Sequence, residues 1–314
     1  MGQLAFNLEA LANGRVIDLF AGPGGWDEGA KLAGIPLDIE GFDFSRDACA
    51  TARAAGHRRY CVDVLDLDIN DFADVRGAIM SPPCPTFSAA GKRSGDRDYQ
   101  KVLDVWTSIG WGIPVEDALE SLADIEDKRT AMLAHAGLWS MCLPSLEWVA
   151  LEQVPSVEFA WEDLAAELYS QGWEWVDVFT LEALDFGLAS RRKRSFLVGR
   201  KYLPGGGVPA STDGQSMAGA LGWPAGHRIN TRGQRRTAGG NEFSADGPSW
   251  CLTGSTRSWK RDDGHTLTPS EAGVLVGFRP DYPWQGSRSS AFLQSADVVA
   301  PPVAAAVLGR IFKN

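Results

Sequence analysis

The sequence predicts a doubly wound α/β fold, in which helices cover both faces of a mostly parallel sheet, joined to a smaller, loop-rich region. Two observations support this prediction. Short apolar runs alternate with helical patterns over the first 200 residues, and this alternation favours parallel strands joined by helices. Residues 203–265 are instead rich in Gly, Ser, Thr, Arg and Trp without a sustained period, which indicates a second, smaller domain.

Individual elements follow from the apolar runs and from the residues at their ends. The predicted strands are residues 15–20, 37–42, 59–62, 77–80, 146–152, 173–179 and 195–200. The predicted helices are residues 25–34, 45–56, 157–172, 266–278 and 300–312, with one or two more inside 115–142. Ser45 suits a helix start, Gly34 and Gly56 suit helix ends, and Thr268 or Ser270 lies near the start of helix 266–278.

Composition excludes several classes of protein. The chain has 314 residues, of which 44% are hydrophobic, and it is long enough to bury a substantial core. Its five cysteines are scattered and include no CxxC pair, so neither a disulfide framework nor a metal site is expected. No apolar run of membrane-spanning length and no basic, apolar leader is apparent. We therefore expect a cytoplasmic protein.

Charge is unevenly distributed along the chain. The formal net charge is -10, yet residues 185–265 contain 13 Lys and Arg against 6 Asp and Glu. A basic segment in an acidic protein suggests that one face meets a polyanion, although most charged runs are merely solvated. The charge pattern alone is weak evidence for nucleic-acid binding.

Glycines and acids at strand ends indicate a nucleoside pocket. Residues 18–25 (DLFAGPGG) put three glycines directly after the first strand, where backbone approaches ligands closely. The dinucleotide spacing G-x-G-x-x-G is absent. Asp43 and Asp63 follow the next two strands and suit ribose hydroxyls, and Phe44 suits an adenine face. Taken singly, each acid is as readily a helix cap or a solvated turn residue.

Residues 81–88 (SPPCPTFS) hold one cysteine among three prolines. Prolines fix φ and remove backbone donors, so this segment is predicted to be a stiff, exposed turn. It follows strand 77–80, and Cys84 therefore lies at the strand end where open α/β sheets carry their chemistry. The alternative is that Cys84 is an ordinary buried free cysteine.

The ordered motifs together resemble those of DNA cytosine-C5 methyltransferases. The likeness covers nearly the whole chain except residues 104–146 and 203–248. The motifs are DLFAGPGG (18–25), GFDFS (41–45), CVDV (61–64), SPPCPTFSAAGKRSGDRD (81–98), LEQV (151–154), DFGLASRRKR (185–194), LTPSEAGVLVGF (267–278) and ADVVAPPVA (296–304).

The resemblance implies an S-adenosylmethionine-dependent, Rossmann-like methyltransferase domain over residues 1–200. It also implies a target-recognition domain over 201–265 and a C-terminal segment, 266–314, that returns to the catalytic domain. The implied cofactor is S-adenosylmethionine, and the implied partner is double-stranded DNA bound by a monomer.

The resemblance also assigns roles to residues. Cys84 would attack carbon 6 of cytosine, Glu152 would neutralise charge at nitrogen 3, and Arg192 and Arg194 form the catalytic arginine pair, one of which would orient the base. The implied cofactor residues are Asp18, Phe20, Ala21, Gly22, Gly24, Gly25, Asp43, Phe44, Asp63, Val64, Pro83, Asp297 and Val298. The implied DNA-binding residues are Ser88, Lys92, Arg93, Arg97, Arg228, Arg232, Arg235 and Arg236. Residues 88–100 would form a mobile loop that closes over DNA.

Departures from the family pattern leave alternatives open. Gln153 replaces the usual asparagine, Ala189-Ser190 replaces Pro-Gln, and Ala296-Asp297 replaces Gly-Asn. Rival functions are methylation of cytosine in transfer RNA and DNA binding without catalysis; a nicotinamide oxidoreductase would leave SPPCPTFS unexplained. The insert at 115–142 is a further candidate for DNA contact.

Overall fold

A seven-stranded mixed sheet forms the centre of the protein. The computed structural model describes residues 12–83, 94–202, 204–207, 211–236 and 240–312, and for residues 94–97 the backbone only. The strands are β1 Arg15–Leu19, β2 Ile39–Asp43, β3 Arg58–Cys61, β4 Val75–Met80, β5 Trp148–Gln153, β6 Trp175–Glu182 and β7 Lys193–Arg200. Their order is β3-β2-β1-β4-β5-β7-β6. The doubly wound fold class predicted from the sequence is confirmed.

Helices cover both faces of this sheet. They are α1 Gly25–Ala33, α2 Arg46–Ala54, α3 Ser94–Gly110, α4 Val115–Leu119, α5 Lys128–Cys142, α6 Glu158–Ser170, α7 Met217–Leu221, α8 Pro269–Leu275, α9 Arg288–Asp297 and α10 Pro301–Phe312. One apolar cluster unites α3, α5 and α6 with the sheet through Trp106, Trp139 and Trp161. A second unites α1 and α10 with the opposite face through Trp26 and Phe312. Burial of these apolar side chains is the main force holding the layers together.

The direction of the strands determines which chain segments meet. Strands β1 to β5 are parallel, whereas β7 runs antiparallel to both β5 and β6. The start of β7 therefore lies beside the end of β5, with Gln153 paired to Ser195 and Glu152 to Phe196. This edge, where β1 to β5 end and β7 begins, holds the predicted catalytic residues Glu152, Arg192 and Arg194 and is called the catalytic edge below.

Helix starts and ends follow local rules that the sequence made visible. The Ser45 side chain accepts a hydrogen bond from the Ala48 amide at the start of α2, and Thr268 forms a capping box with Glu271 at the start of α8. Gly34 ends α1 in a left-handed conformation, which glycine adopts without a steric cost. These predicted caps are confirmed.

Part of the predicted mobile loop is helical in the structure. Residues 94–100 of the predicted loop 88–100 lie in helix α3. The loop prediction was wrong for this part, because the apolar positions at Tyr99, Val102 and Val105 give the segment a helical face that packs into the core. The insert predicted at 115–142 contains α4 and α5, as expected.

A small three-stranded antiparallel sheet lies between β7 and the C-terminal helices. Its strands are β8 Arg228–Asn230, β9 Glu242–Ser244 and β10 Lys260–Arg261, in the order β10-β8-β9. One apolar cluster joins it to α8 and α9 through Phe243, Trp259, Leu275 and Phe292. The small sheet is thus fixed to the C-terminal segment, and the domain boundaries at 200 and 265 stay a prediction.

One helical stretch within the described residues, 288–312, is long and apolar enough by composition to cross a membrane, with mean hydropathy 1.5 over an 18-residue window. No such run was expected from the sequence. The stretch comprises α9, α10 and the three residues between them, and 72% of that window is buried inside the protein. Its apolar side chains therefore pack in the core, with Val303, Val307 and Ile311 against the sheet.

Candidate active site

The loop between β1 and α1 has an unusual backbone. Phe20 has φ of 64°, Gly22 of 54° and Gly24 of 111°, and a left-handed φ at Phe20 costs about 1 kcal/mol or more. Gly25 must lack a side chain, because a Cβ there would lie 2.1 Å from the carbonyl oxygen of Val299. Such strain occurs where backbone conformation serves a ligand. The loop therefore forms a shaped cradle at the catalytic edge.

Two acids lie beside this cradle. The Asp43 carboxylate accepts hydrogen bonds from the amides of Gly22 (2.8 Å) and Ser45 (2.7 Å). Burial raises the pKa of Asp43, and these two hydrogen bonds oppose the rise. Asp63 accepts from the Leu65 amide at 3.0 Å and begins the short turn Val64–Asp66. Both acids support backbone turns, in line with the cap interpretation, and both face the same edge of the sheet.

Phe44 and Asp18, two residues predicted to bind the cofactor, differ in their accessibility to solvent. The Phe44 side chain is 69% exposed directly after Asp43, so its ring is accessible to a ligand. Asp18 is fully buried, and neither of its carboxylate oxygens has a hydrogen-bond partner among the described residues. Burial raises the pKa of Asp18 well above its usual range, and Arg59 opposes the rise. Asp18 therefore lies beneath the loop and is closed to direct ligand contact in this conformation.

The catalytic edge also holds a buried acid. Glu152, at the end of β5, is 6% exposed, and Arg194 Nε donates to its Oε1 at 2.9 Å. Ser81 also hydrogen-bonds to Glu152, and Trp26 Nε1 donates to Ser81 Oγ at 3.0 Å. Burial raises the pKa of Glu152, while Arg194, Arg192 and the Ser81 hydrogen bond oppose the rise. A carboxyl group in this setting is suited to hold a proton and donate it.

Gln153 connects this acid to the proline segment. Its Nε2 donates to the carbonyl oxygen of Pro82 at 2.8 Å, and its Oε1 accepts from the Val154 amide at 2.6 Å. Gln153 thereby holds the chain two residues before Cys84. From the sequence, Gln153 is only a departure from the family pattern, and its contact with Pro82 is not predicted.

Some predicted residues lie outside the described ones. Cys84, Ser88, Lys92 and Arg93 are among them, and Arg97 is described only as a backbone position in α3. Pro83 is exposed and is the last described residue before Cys84.

The two arginines at the start of β7, Arg192 directly before the strand and Arg194 within it, have separate partners. The Arg192 guanidinium donates to the carbonyl oxygens of Ala296 and Val298, the second at 2.8 Å. Burial lowers the pKa of Arg192 to about 10. Arg192 therefore holds the segment with exposed Asp297 and buried Val298 against the sheet, and Arg194 is the arginine in contact with Glu152.

A buried ionic network beneath the cradle was missed by the sequence analysis. Arg59 donates to Asp27 at 2.6 Å, and His57 lies 3.0 Å from Glu28. The Tyr282 hydroxyl donates to the carbonyl oxygen of Pro23. These partners are distant in sequence, and no local pattern signals such pairs. Within the described ranges, no cluster of His, Cys, Asp or Glu suits a metal ion.

The predicted DNA-binding arginines of the small sheet are all exposed. Arg228 lies on β8, and Arg232, Arg235 and Arg236 lie in the loop that follows it.

The large sheet and its helices are consistent with the α/β fold of S-adenosylmethionine-dependent methyltransferases. Solved structures of similar fold include DNMT2 of Spodoptera frugiperda, with TM-score 0.66 and 14% identity over 96% of this chain and 100% of that one. Dnmt2 methyltransferase of S. pombe gives TM-score 0.63 and 17% identity over 96% and 98%.

Residues 14–108 match the family described as C-5 cytosine-specific DNA methylase. Type II methyltransferase M.DdeI of Desulfomicrobium norvegicum is 30% identical over 192 residues, 59% of this chain and 40% of that protein. M.AplI of Arthrospira platensis is 26% identical over 62% of this chain and 48% of its own length. The match bears out the resemblance to this family over residues 14–108, and the chain spans less than half the length of these two relatives.

Proposed function

We propose that the protein transfers a methyl group to carbon 5 of cytosine in double-stranded DNA through a covalent adduct between Cys84 and carbon 6. One observation carries this proposal. Glu152 is buried with a raised pKa, held by Arg194, and adjacent to Gln153, which positions the proline segment before Cys84. A proton donor and a thiol are thus expected at the same edge of the sheet.

The cradle residues fit S-adenosylmethionine. Within the left-handed turn, the space where a Cβ would lie at Gly22 is open, which leaves room for close approach, and exposed Phe44 beside Asp43 suits an adenosine. Ala21, Gly25, Asp63, Val64 and Pro83 complete the proposed walls, and Asp297 and Val298 are proposed at the amino-acid end. When bound, S-adenosylmethionine supplies an electrophilic methyl group on a sulfonium centre.

The proposed chemistry uses three side chains. The Cys84 thiolate forms a bond to carbon 6 while protonated Glu152 donates to nitrogen 3, which makes carbon 5 nucleophilic. After carbon 5 gains the methyl group, a water molecule takes the proton of carbon 5, and elimination of the thiolate restores the aromatic ring while nitrogen 3 returns its proton to Glu152. Arg194 fixes the carboxyl orientation. The target base must leave the duplex at a cost of a few kcal/mol.

Labelled methyl transfer from S-adenosylmethionine tests the proposal. A cytosine-containing duplex should gain label as 5-methylcytosine, and a duplex with 5-methylcytosine at every cytosine should gain none. Cys84→Ser should abolish transfer, because an alcohol is a far weaker nucleophile than a thiolate.

Transfer RNA offered in parallel decides between the two substrates. Label on transfer RNA but not on the duplex would overturn the DNA assignment. Full activity of the folded Cys84→Ser protein would overturn the nucleophile.

A further inference from the structure

The arginine loop, residues 231–236, has a defined backbone. Arg232 adopts φ of 56°, and the Asn230 side-chain oxygen accepts from its amide at 2.8 Å. The Asn241 side-chain oxygen accepts from the Arg235 amide at 2.7 Å. A left-handed non-glycine residue is rare and needs such support. The loop therefore presents its arginines from fixed positions.

The four arginines of this region have different surroundings. Arg228 Nε lies 3.3 Å from Glu242 Oε2, so a carboxylate already occupies part of its donor edge. Within the described ranges, no side-chain partner is found for Arg232 or Arg236. The Arg235 guanidinium lies 3.8 Å from the centre of the Trp250 ring. Contact with an aromatic face restrains a guanidinium while leaving its N–H donors available.

Trp250 connects the arginine loop to the catalytic edge. Its ring packs on Phe243 at 4.9 Å in the core of the small sheet. The preceding residue, Ser249, donates to the carbonyl oxygen of Ala189 at 2.7 Å and accepts from the Arg191 amide at 3.0 Å. The following residue, Cys251, is close enough to Arg192 for an electrostatic interaction. Both chain neighbours of Trp250, whose ring supports Arg235, therefore lie close to residues 189–192, which lead into β7.

We propose that Arg235, stacked on Trp250, determines DNA sequence specificity by donating two hydrogen bonds to a guanine of the recognition sequence. This inference rests on the proposed function. Guanine presents two acceptors, O6 and N7, on its major-groove edge, and arginine is the side chain that matches both. Arg232 and Arg236, with no aromatic support, contact phosphates and contribute affinity without sequence preference.

A duplex library with random bases around one cytosine tests the assignment. The wild-type protein should methylate one subset of sequences, identified by bisulfite or nanopore sequencing. Arg235→Ala should lose preference at one guanine position by about tenfold or more. Arg235→Lys should lose it too, since an ammonium cannot make the paired contact, while the salt dependence of DNA binding stays as in wild type.

Trp250→Ala should weaken the same guanine preference less than Arg235→Ala does. In this variant Arg235 keeps its guanidinium but loses the aromatic ring that restrains it. Arg257→Ala is the matched control, since Arg257 is an exposed arginine of the same region bound to the carbonyl oxygen of Gly254. It should keep the wild-type preference.

Two negative outcomes are distinguishable. An unchanged preference in both Arg235 variants, with the wild-type protein active on DNA, would overturn the role of Arg235 alone. Absence of cytosine methylation by folded wild-type protein would overturn the proposed function and this inference with it.

Discussion

The catalytic edge and the arginine loop use charged side chains in opposite ways. At the catalytic edge, Glu152 and Arg192 are buried and bound by protein groups. In the arginine loop, Arg232, Arg235 and Arg236 are exposed, and one ring contact is the only side-chain support described for them. Burial shifts the pKa of a charged group, whereas exposure leaves its charge available to a partner. We therefore expect substitutions at the edge to change rate and pH dependence, and substitutions in the loop to change affinity and sequence preference.

The largest expected effect is at Glu152. Glu152→Gln removes the proton donor but preserves shape, so the rate of methyl transfer should fall about 100-fold to 10,000-fold. Glu147→Gln is the matched control, because Glu147 precedes the same strand and pairs with Arg76 at the opposite edge of the sheet. The control should keep wild-type activity. Single-turnover kinetics on one duplex measures both, and an equal loss in the two variants would contradict a specific role for Glu152.

Both variants should also keep the wild-type sequence preference on the random library. A change of preference in Glu152→Gln would break the division between the two regions.

The sequence predicted the large sheet and the order of its elements because each element carries its own signal. Strand β4 is a short apolar run, and helix α2 begins at a serine and ends before a glycine. Such local signals are independent of the rest of the chain. The start of α3 escaped prediction, since Ser94 to Asp98 contain a glycine and four polar residues and its apolar face begins only at Tyr99.

The sequence predicted which site residues lie at strand ends, but it did not predict the contacts that their side chains make. Asp43, Asp63 and Glu152 are each found directly after or at the end of a strand, where parallel sheets gather functional groups. The separation of roles between Arg192 and Arg194 depends on strand β7 meeting residues 296–298, about a hundred positions away in sequence. No local pattern encodes that contact or the Arg59–Asp27 pair, because both arise from tertiary packing.

The next largest expected effect is a change in the pH dependence of methyl transfer when Arg194 is replaced. If protonated Glu152 is required, the rate falls as pH rises through its folded pKa, which burial has raised above 4.5. Arg194 opposes that rise, so Arg194→Ala should raise the pKa further and move the alkaline limb upward by about one unit, although the maximal rate is lower. Lys193→Ala, which removes an exposed cation between the two arginines, should leave the limb in place.

The raised pKa of Glu152 also affects how the free energy of unfolding depends on pH. An acid with a raised folded-state pKa loses stability as pH rises from its unfolded-state value through the folded one. The unfolding free energy of Arg194→Ala should therefore fall more steeply than that of wild type over this interval in urea titrations. A limb that moves to lower pH would show that Arg194 does not act through Glu152.

The smallest expected effect concerns the backbone of the arginine loop. Arg232 is held at φ of 56°, a conformation that costs a non-glycine residue about 1–2 kcal/mol. Arg232→Gly should therefore be more stable than Arg232→Ala by about 1 kcal/mol in urea unfolding, after the larger unfolded-state entropy of glycine is subtracted. Both variants lose the same guanidinium, so both should lower the salt slope of DNA binding by about one. Equal stability of the two variants would mean that the left-handed turn does not persist in solution, and Arg235 would then lack the fixed position from which it contacts a base.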